Sequence, residues 1–191
     1  MTLSLDGISY RPVCVRGNRA RNMKGGTMYD PDVLLGDDPR REFEQMLEGS
    51  CAAGKSFALM LVNLDGFEGI TVRYGRAVAD LLIYEVSSRL RDELRDQDVL
   101  ARFGSSQFAV LVTGAQRLES TADLARKLIG RLESAITVAG TRFRLTASIG
   151  ITLFPQHGKE WSDLLDNAEA AAHDAMTQGR GRISISFPAV R

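Results

Sequence analysis

Few residues in this chain have the type and spacing to do chemistry. The two histidines are His157, in a Pro-Gln-His-Gly turn, and His173, in an alanine-rich helical stretch. Neither has a nucleophile at a spacing that suggests a Ser/His/Asp set, and both read as surface or packing residues. Cys14 and Cys51 lie far apart without metal-ligand spacing, which suits a reducing compartment better than a disulfide framework. The phosphate-cradling patterns G-x-x-x-x-G-K and G-x-G-x-x-G are absent. The best-placed carboxylate is Asp65, just past an apolar run at 57–62, because ligands in open sheets gather at strand ends. An equal reading makes it a turn residue in Leu-Asp-Gly, bonding its own backbone two residues on. Arg95, Asp98 and Arg102 form the other polar cluster. Arg95 and Asp98 suit an ion pair, and rigid arginines near a carboxylate also suit bidentate phosphate binding.

The elements that must position these groups are legible from residue 32 onward. Asp38-Pro39 reads as an N-cap with proline at the first helical position, and Phe43, Met46 and Leu47 follow at helical spacing until Gly49 or Gly54. Phe57 to Val62 is a continuous apolar run of the length expected for a strand buried on both faces. Val78, Leu81, Leu82, Val86, Leu90 and Leu94 make one stripe along a helix at 76–95. Val99–Phe103 and Phe108–Val112 read as a hairpin around Gly104-Ser105-Ser106-Gln107. Ser120 and Asp123 suggest a capping box for the next helix. From Ala139-Gly140 the pattern predicts one long strand, with Phe143, Leu145, Ala147 and Ile149 alternating with polar residues. A helix at 161–178, stopped by Gly179, and a strand at 183–187 complete the order. Helices alternating with strands around a central hairpin predict an α/β chain with a mixed sheet rather than a purely parallel one.

Composition sets outer limits. With 191 residues, 44% hydrophobic and 25% charged, the chain has the make-up of a globular domain. Its 24 basic and 24 acidic residues cancel, so the total charge does not favour a grip on nucleic acid or anionic membrane. No apolar run approaches the roughly 20 residues that span a bilayer, and the N-terminus lacks a signal-peptide pattern. A cytoplasmic protein is expected. Residues 8–16 read as a short edge strand and 17–30 as a linker. The expected organisation is an N-terminal extension and linker at 1–30, which could close an upstream sensor domain, a domain at 31–187 and a tail at 188–191.

Set in this order, several segments resemble the diguanylate cyclase family, named GGDEF after its hairpin motif. They are Asp32-Val33-Leu34-Leu35-Gly36 with Arg40 and Phe43; Leu61-Val62-Asn63-Leu64-Asp65-Gly66-Phe67 with Ile70 and Tyr74-Gly75; and Ala101-Arg102-Phe103-Gly104 before Phe108-Ala109-Val110-Leu111. Leu145-Thr146-Ala147-Ser148-Ile149-Gly150-Ile151 and Gly179-Arg180-Gly181-Arg182-Ile183 follow, so the likeness runs from about residue 32 to 187. The resemblance implies a five-stranded central mixed sheet flanked by helices, like the palm of nucleotidyl cyclases and polymerases. It also implies a reaction in which two GTP molecules on facing subunits become cyclic di-GMP, with two metal ions held by acids at the first strand and in the hairpin.

The departures from the family pattern fall on that chemistry. Asn63 stands at the metal-binding aspartate, and Ser106 and Gln107 stand at the two acidic positions of the signature, which reads Gly104-Ser105-Ser106-Gln107-Phe108. Magnesium prefers anionic oxygens, so an amide and a hydroxyl are poor substitutes. Glu68 replaces the triphosphate lysine, Thr71 the guanine-reading asparagine and Met176 a second phosphate lysine; Asp80 and Arg180 match a guanine contact and a phosphate contact. The resemblance therefore implies a vestigial nucleotide site, no resident metal or cofactor and no cyclase activity. Arg95-Asp96-Gln97-Asp98 keeps the R-x-x-D pattern of the family's product-inhibition site, nine residues before Gly104. Arg95, Asp98 and, beside them, Arg102 are the ligand-binding candidates. The expected role is a regulatory or structural module in cyclic di-GMP signalling. Its expected partners are neighbouring sensor and EAL-type domains or a signalling protein, with neither nucleic acid nor membrane contacted by this segment. The alternatives are a cyclic di-GMP receptor at Arg95/Asp98, a GTP-sensing domain, and, least favoured, an active cyclase.

Overall fold

Phe57–Leu64 lies at the centre of the molecule, with every side chain buried except that of Asn63, which is half-buried. Such a run can only form where both faces of a sheet are covered. The computed structural model describes residues 33–34 and 38–185. In chain order the elements are β1 (Val33–Leu34), α1 (Pro39–Ala52), β2 (Phe57–Leu64), α2 (Phe67–Tyr74), α3 (Arg76–Asp92), β3 (Val99–Arg102), β4 (Gln107–Thr113), α4 (Leu118–Glu133), β5 (Ile136–Val138), β6 (Thr141–Phe143), β7 (Ala147–Phe154), α5 (Trp161–Thr177) and β8 (Ile183–Ile185). The main sheet runs β1-β3-β4-β2-β7-β8. The five expected strands are present, and two-residue β1 adds to one edge. β2 is antiparallel to β4 and β7, whereas β1–β3 and β7–β8 are parallel, so the sheet is mixed.

Strand alternation divides the core into two layers. Ala58, Met60, Val62 and Leu64 point to α3 and α4, where Leu82, Val86, Leu90, Leu128 and Leu132 are buried. Phe57, Leu59 and Leu61 point to α1 and α5, against Phe43, Leu47, Leu164 and Ala168. α5 lies very close to β7. A Cβ placed on Gly150 would come within 2.1 Å of the Ala168 carbonyl oxygen and 2.4 Å of the Ala172 nitrogen. Glycine on the strand and alanines at 168, 171, 172 and 175 on the helix make that approach possible.

Several sequence expectations are corrected. The long strand after Ala139-Gly140 is two: β5 and β6 form a small ribbon turned by Ala139 and Gly140, both at positive φ, and β7 starts afresh at Ala147. β7 is buried at all eight positions, because α5 covers the face that its Ser148 and Thr152 occupy. α4 starts at Leu118, so Ser120 lies inside it; its hydroxyl donates to the Arg117 carbonyl, and Asp123 pairs with Arg126 instead of capping. α3 stops at Asp92, with Leu94 beyond it packed on the core. α1 passes through Gly49 and ends at Ala52, before Gly54 at positive φ. Its start is as expected: the Asp38 carboxylate accepts from the Arg41 amide, with Pro39 at the first helical position. The strand expected at 8–16, the linker at 17–30 and the tail at 188–191 lie outside the described residues.

Candidate functional site

The β3–β4 hairpin has a polar site at each end. At its tip, Asn63 of β2 sits opposite Gln107 of β4 and Ser148 of β7, so the three share the sheet face that α5 covers. The Asn63 amide approaches the Met176 sulfur at 3.5 Å. The tip is shaped by backbone: the amides of Phe103 and Gly104 donate to the Gln107 carbonyl, and the Leu64 amide donates to that of Ser106. Arg102 turns its Nε to the Gly104 carbonyl at 3.0 Å, bracing the turn. The groups offered here are thus an amide, a hydroxyl, a second amide and a thioether, all neutral.

Asp65 is the one carboxylate at this end of β2, and it is engaged. Its Oδ2 accepts from the Thr146 hydroxyl at 2.7 Å and the Gly181 amide at 3.0 Å; its Oδ1 accepts from the Ser148 hydroxyl at 2.8 Å. Asp65 thus bonds groups far along the chain rather than its own turn; the hydroxyls of Thr146 and Ser148, two residues apart on one side of an extended segment, are the sequence feature that matches it.

The remaining cleft positions are dispersed over the surrounding elements. Glu68, in the first turn of α2, and Asp80, in the first turns of α3, are exposed. The Thr71 hydroxyl folds back onto the Phe67 carbonyl. Arg180 is exposed after α5, at positive φ, its amide bonded to the Ala175 carbonyl. No hydrogen bond or ion pair joins the side chains of Glu68, Asp80 or Arg180 to one another among the described residues. Magnesium prefers anionic oxygens, and the neutral groups at Asn63, Ser106 and Gln107 do not supply them. Among the described residues no three His, Cys, Asp or Glu side chains gather as a metal site.

At the base of the hairpin the geometry is different. Asp98 is only 4% exposed. Its Oδ2 accepts from the Arg95 amide and its Oδ1 from the Thr113 amide, both at 3.0 Å, so it staples the loop before β3 to the end of β4. Arg91 clamps the same loop from α3, donating to the Arg95 and Asp98 carbonyls at 2.8 Å. The Arg95–Asp98 contact therefore runs through the backbone amide of Arg95 rather than its side chain. The exposed Arg95 guanidinium has no hydrogen-bond or ion-pair partner among the described residues, and it faces a cavity of about 570 Å³. Arg117 and Lys127 of the α4 region line the same cavity, as do Glu93 and Asp123; no local motif marks these four residues. Arg102 lies apart from this group, committed to the tip.

The histidines are placed as packing and surface residues. His157 is buried, its Nδ1 accepting from the Leu153 amide at 3.2 Å, and burial lowers its pKa; His173 is exposed. Cys51 is half-buried, and burial, with a smaller contribution from Glu160, raises its pKa.

The sheet order, the hairpin and the residue spacing have close counterparts among known proteins. The family described as "Diguanylate cyclase, GGDEF domain" matches residues 37–182. The bifunctional diguanylate cyclase/cyclic di-GMP phosphodiesterase MucR of Pseudomonas aeruginosa is 35% identical over 150 residues, 78% of this chain and 21% of that protein. The cyclic di-GMP phosphodiesterase NbdA of the same organism is 37% identical over 138 residues, 72% of this chain and 18% of that one. The chain thus spans about a fifth of the length of these curated relatives. The crystal structure of the GGDEF domain of TpbB from Pseudomonas aeruginosa superposes with a TM-score of 0.74 at 28% identity, covering 77% of this chain and 94% of that one. Family match, relatives and fold agree: this chain belongs to the GGDEF diguanylate cyclase domain family.

Proposed function

We propose that this GGDEF domain does not make cyclic di-GMP and serves as a regulatory or structural module inside a longer cytoplasmic signalling protein. One observation carries the reading. The end of β2 and the hairpin tip present neutral donors at Asn63, Ser106 and Gln107, while the nearby Asp65 carboxylate is occupied by three hydrogen bonds. Phosphoryl transfer to a second nucleotide needs divalent ions bridging phosphate oxygens, and those ions need anionic protein ligands. Glu68 adds a negative charge where a triphosphate would approach. Losing a charged hydrogen bond costs about 1.5–3 kcal/mol, and several such losses act against the same substrate. A relative whose name pairs cyclase and phosphodiesterase, and of which this chain spans about a fifth, supports a multidomain setting, with sensor and EAL-type neighbours as the partners. In that setting the domain spans 31–187, preceded by an extension and linker. The test is incubation of the purified chain with GTP and Mg²⁺ or Mn²⁺; no cyclic di-GMP above a protein-free control is expected, and its appearance overturns the reading.

A second reading is favoured by the cavity at the hairpin base. Arg95 there is unpaired among the described residues, with Arg117 and Lys127 alongside and Glu93 and Asp123 on the same walls; the cations suit phosphates and the carboxylates suit a guanine edge. On this reading the domain senses cyclic di-GMP. Calorimetric titration with cyclic di-GMP tests it: saturable binding lost in Arg95→Ala is expected, and equal binding by that variant overturns it.

A further inference from the structure

The opposite edge of the sheet carries a feature that neither nucleotide reading uses. Among the described residues β8 is the last strand in the sheet order, paired on one side with parallel β7. The Ile149 amide donates to the Arg182 carbonyl at 2.9 Å, so backbone groups of residue 182 face β7. Groups alternate along a strand, so the N–H and C=O of Ile183 point outward, away from β7. They border a groove of about 410 Å³ between α4 and β8, floored by Ile129 and Ile183 and flanked by Arg126, Arg182, Gln178 and Gly181. Arg126 holds Asp123 at 2.7 Å yet remains 62% exposed, and Arg182 is exposed, with Nε toward the Arg180 carbonyl at 3.5 Å. Arg126 and Arg182 against Asp123 leave this rim net cationic on a chain whose formal charge is zero.

We infer that the α4–β8 groove receives an acidic, extended segment of a protein partner, which adds as a strand to β8. Edge strands offer unpaired main-chain groups to such an addition, and pockets for alternate side chains set specificity. The apolar floor takes apolar side chains of the incoming strand, and the arginines on the rim attract its carboxylates. This deepens the reading of the domain as a docking module and rests on it.

The test uses the 191-residue chain and a fluorescein-labelled nonapeptide alternating valine and glutamate. Fluorescence anisotropy is expected to show saturable binding below about 1 mM, weakened at least about tenfold in the Arg126→Glu/Arg182→Glu double variant. Amide exchange at Ile183 is expected to slow in the complex. Ile183→Pro removes the outward N–H without touching a β7 bond, and is expected to weaken binding where the fold is retained by circular dichroism. No saturable binding, equal binding of an alternating valine–lysine peptide, or unchanged exchange at Ile183 each overturns the inference. The cyclase assay is read separately: product formation sinks the inactive reading without moving the peptide result, and absent peptide binding leaves the assay's outcome as it was.

Discussion

The tip and the base of the β3–β4 hairpin share one scaffold and differ in charge: the tip offers neutral groups, the base a cavity lined by both cations and carboxylates. Each is organised by one aspartate spent on architecture: Asp65 beside the tip, joining β2 to the segment before β7 and the turn before β8, and Asp98 at the base, joining the loop to β4. At the tip, the side chains left over are neutral. At the base, Arg95 stands over a cavity shared with Arg117 and Lys127. A charge that is bonded into the fold is unavailable to a ligand, whereas an unpaired cation on a cavity wall keeps its affinity for anions. On the second reading proposed above, this makes the base rather than the tip the place for a phosphorylated ligand.

The comparison can be broken most forcefully at Asp65. Asp65→Ala leaves two hydroxyls and an amide without their anion, and we expect a loss of about 3 kcal/mol in urea unfolding, since charged hydrogen bonds contribute about 1.5–3 kcal/mol each and do not add fully. A change under about 0.5 kcal/mol, the range of ordinary surface substitutions, would instead mark Asp65 as free for a ligand. Asp98→Ala should cost about 2 kcal/mol, because two backbone amides lose a buried acceptor. Its loop should also exchange amide protons faster at Arg95 and Thr113.

A smaller effect should appear at the far end of β7. Burial lowers the pKa of His157, so the unfolded chain binds the proton more readily. The resulting stability is fully present above the ordinary histidine value of 6.5 and is lost as the pH falls from there through the lowered folded-state value. The urea midpoint should drop between neutral and mildly acidic pH, and a His157→Gln variant should show a shallower drop. The smallest stability change is expected for Arg95→Ala, within about 0.5 kcal/mol, as for other exposed residues without partners. Any loss of cyclic di-GMP binding in that variant then reports on the ligand and not on the fold.

Much of this molecule was readable from residue order. The continuous run at Phe57–Val62 announced a strand covered on both faces, the stripe from Val78 to Leu94 announced α3, although Leu81 in it is exposed and Leu94 lies past the helix end, and Asp38-Pro39 marked the start of α1. The neutral chemistry at Asn63, Ser106 and Gln107 is a matter of residue type and needed no coordinates. Periodicity and capping are local, so a window of a few residues contains them. What the tertiary structure alone decided lies between distant segments. Asp65 meets partners 81, 83 and 116 residues away, Asp98 reaches Thr113 across the hairpin, and Gly150 matters because two alanines of α5 press against it. The polar residues Arg142, Arg144, Thr146 and Ser148 alternate with apolar ones as in a single strand, yet Arg142 is exposed on the ribbon, Thr146 lies between the strands bonded to Asp65, and Ser148 is buried in β7. Which face a polar residue meets depends on strand register and on the helix that covers it, and neither is written in the residue's own neighbourhood.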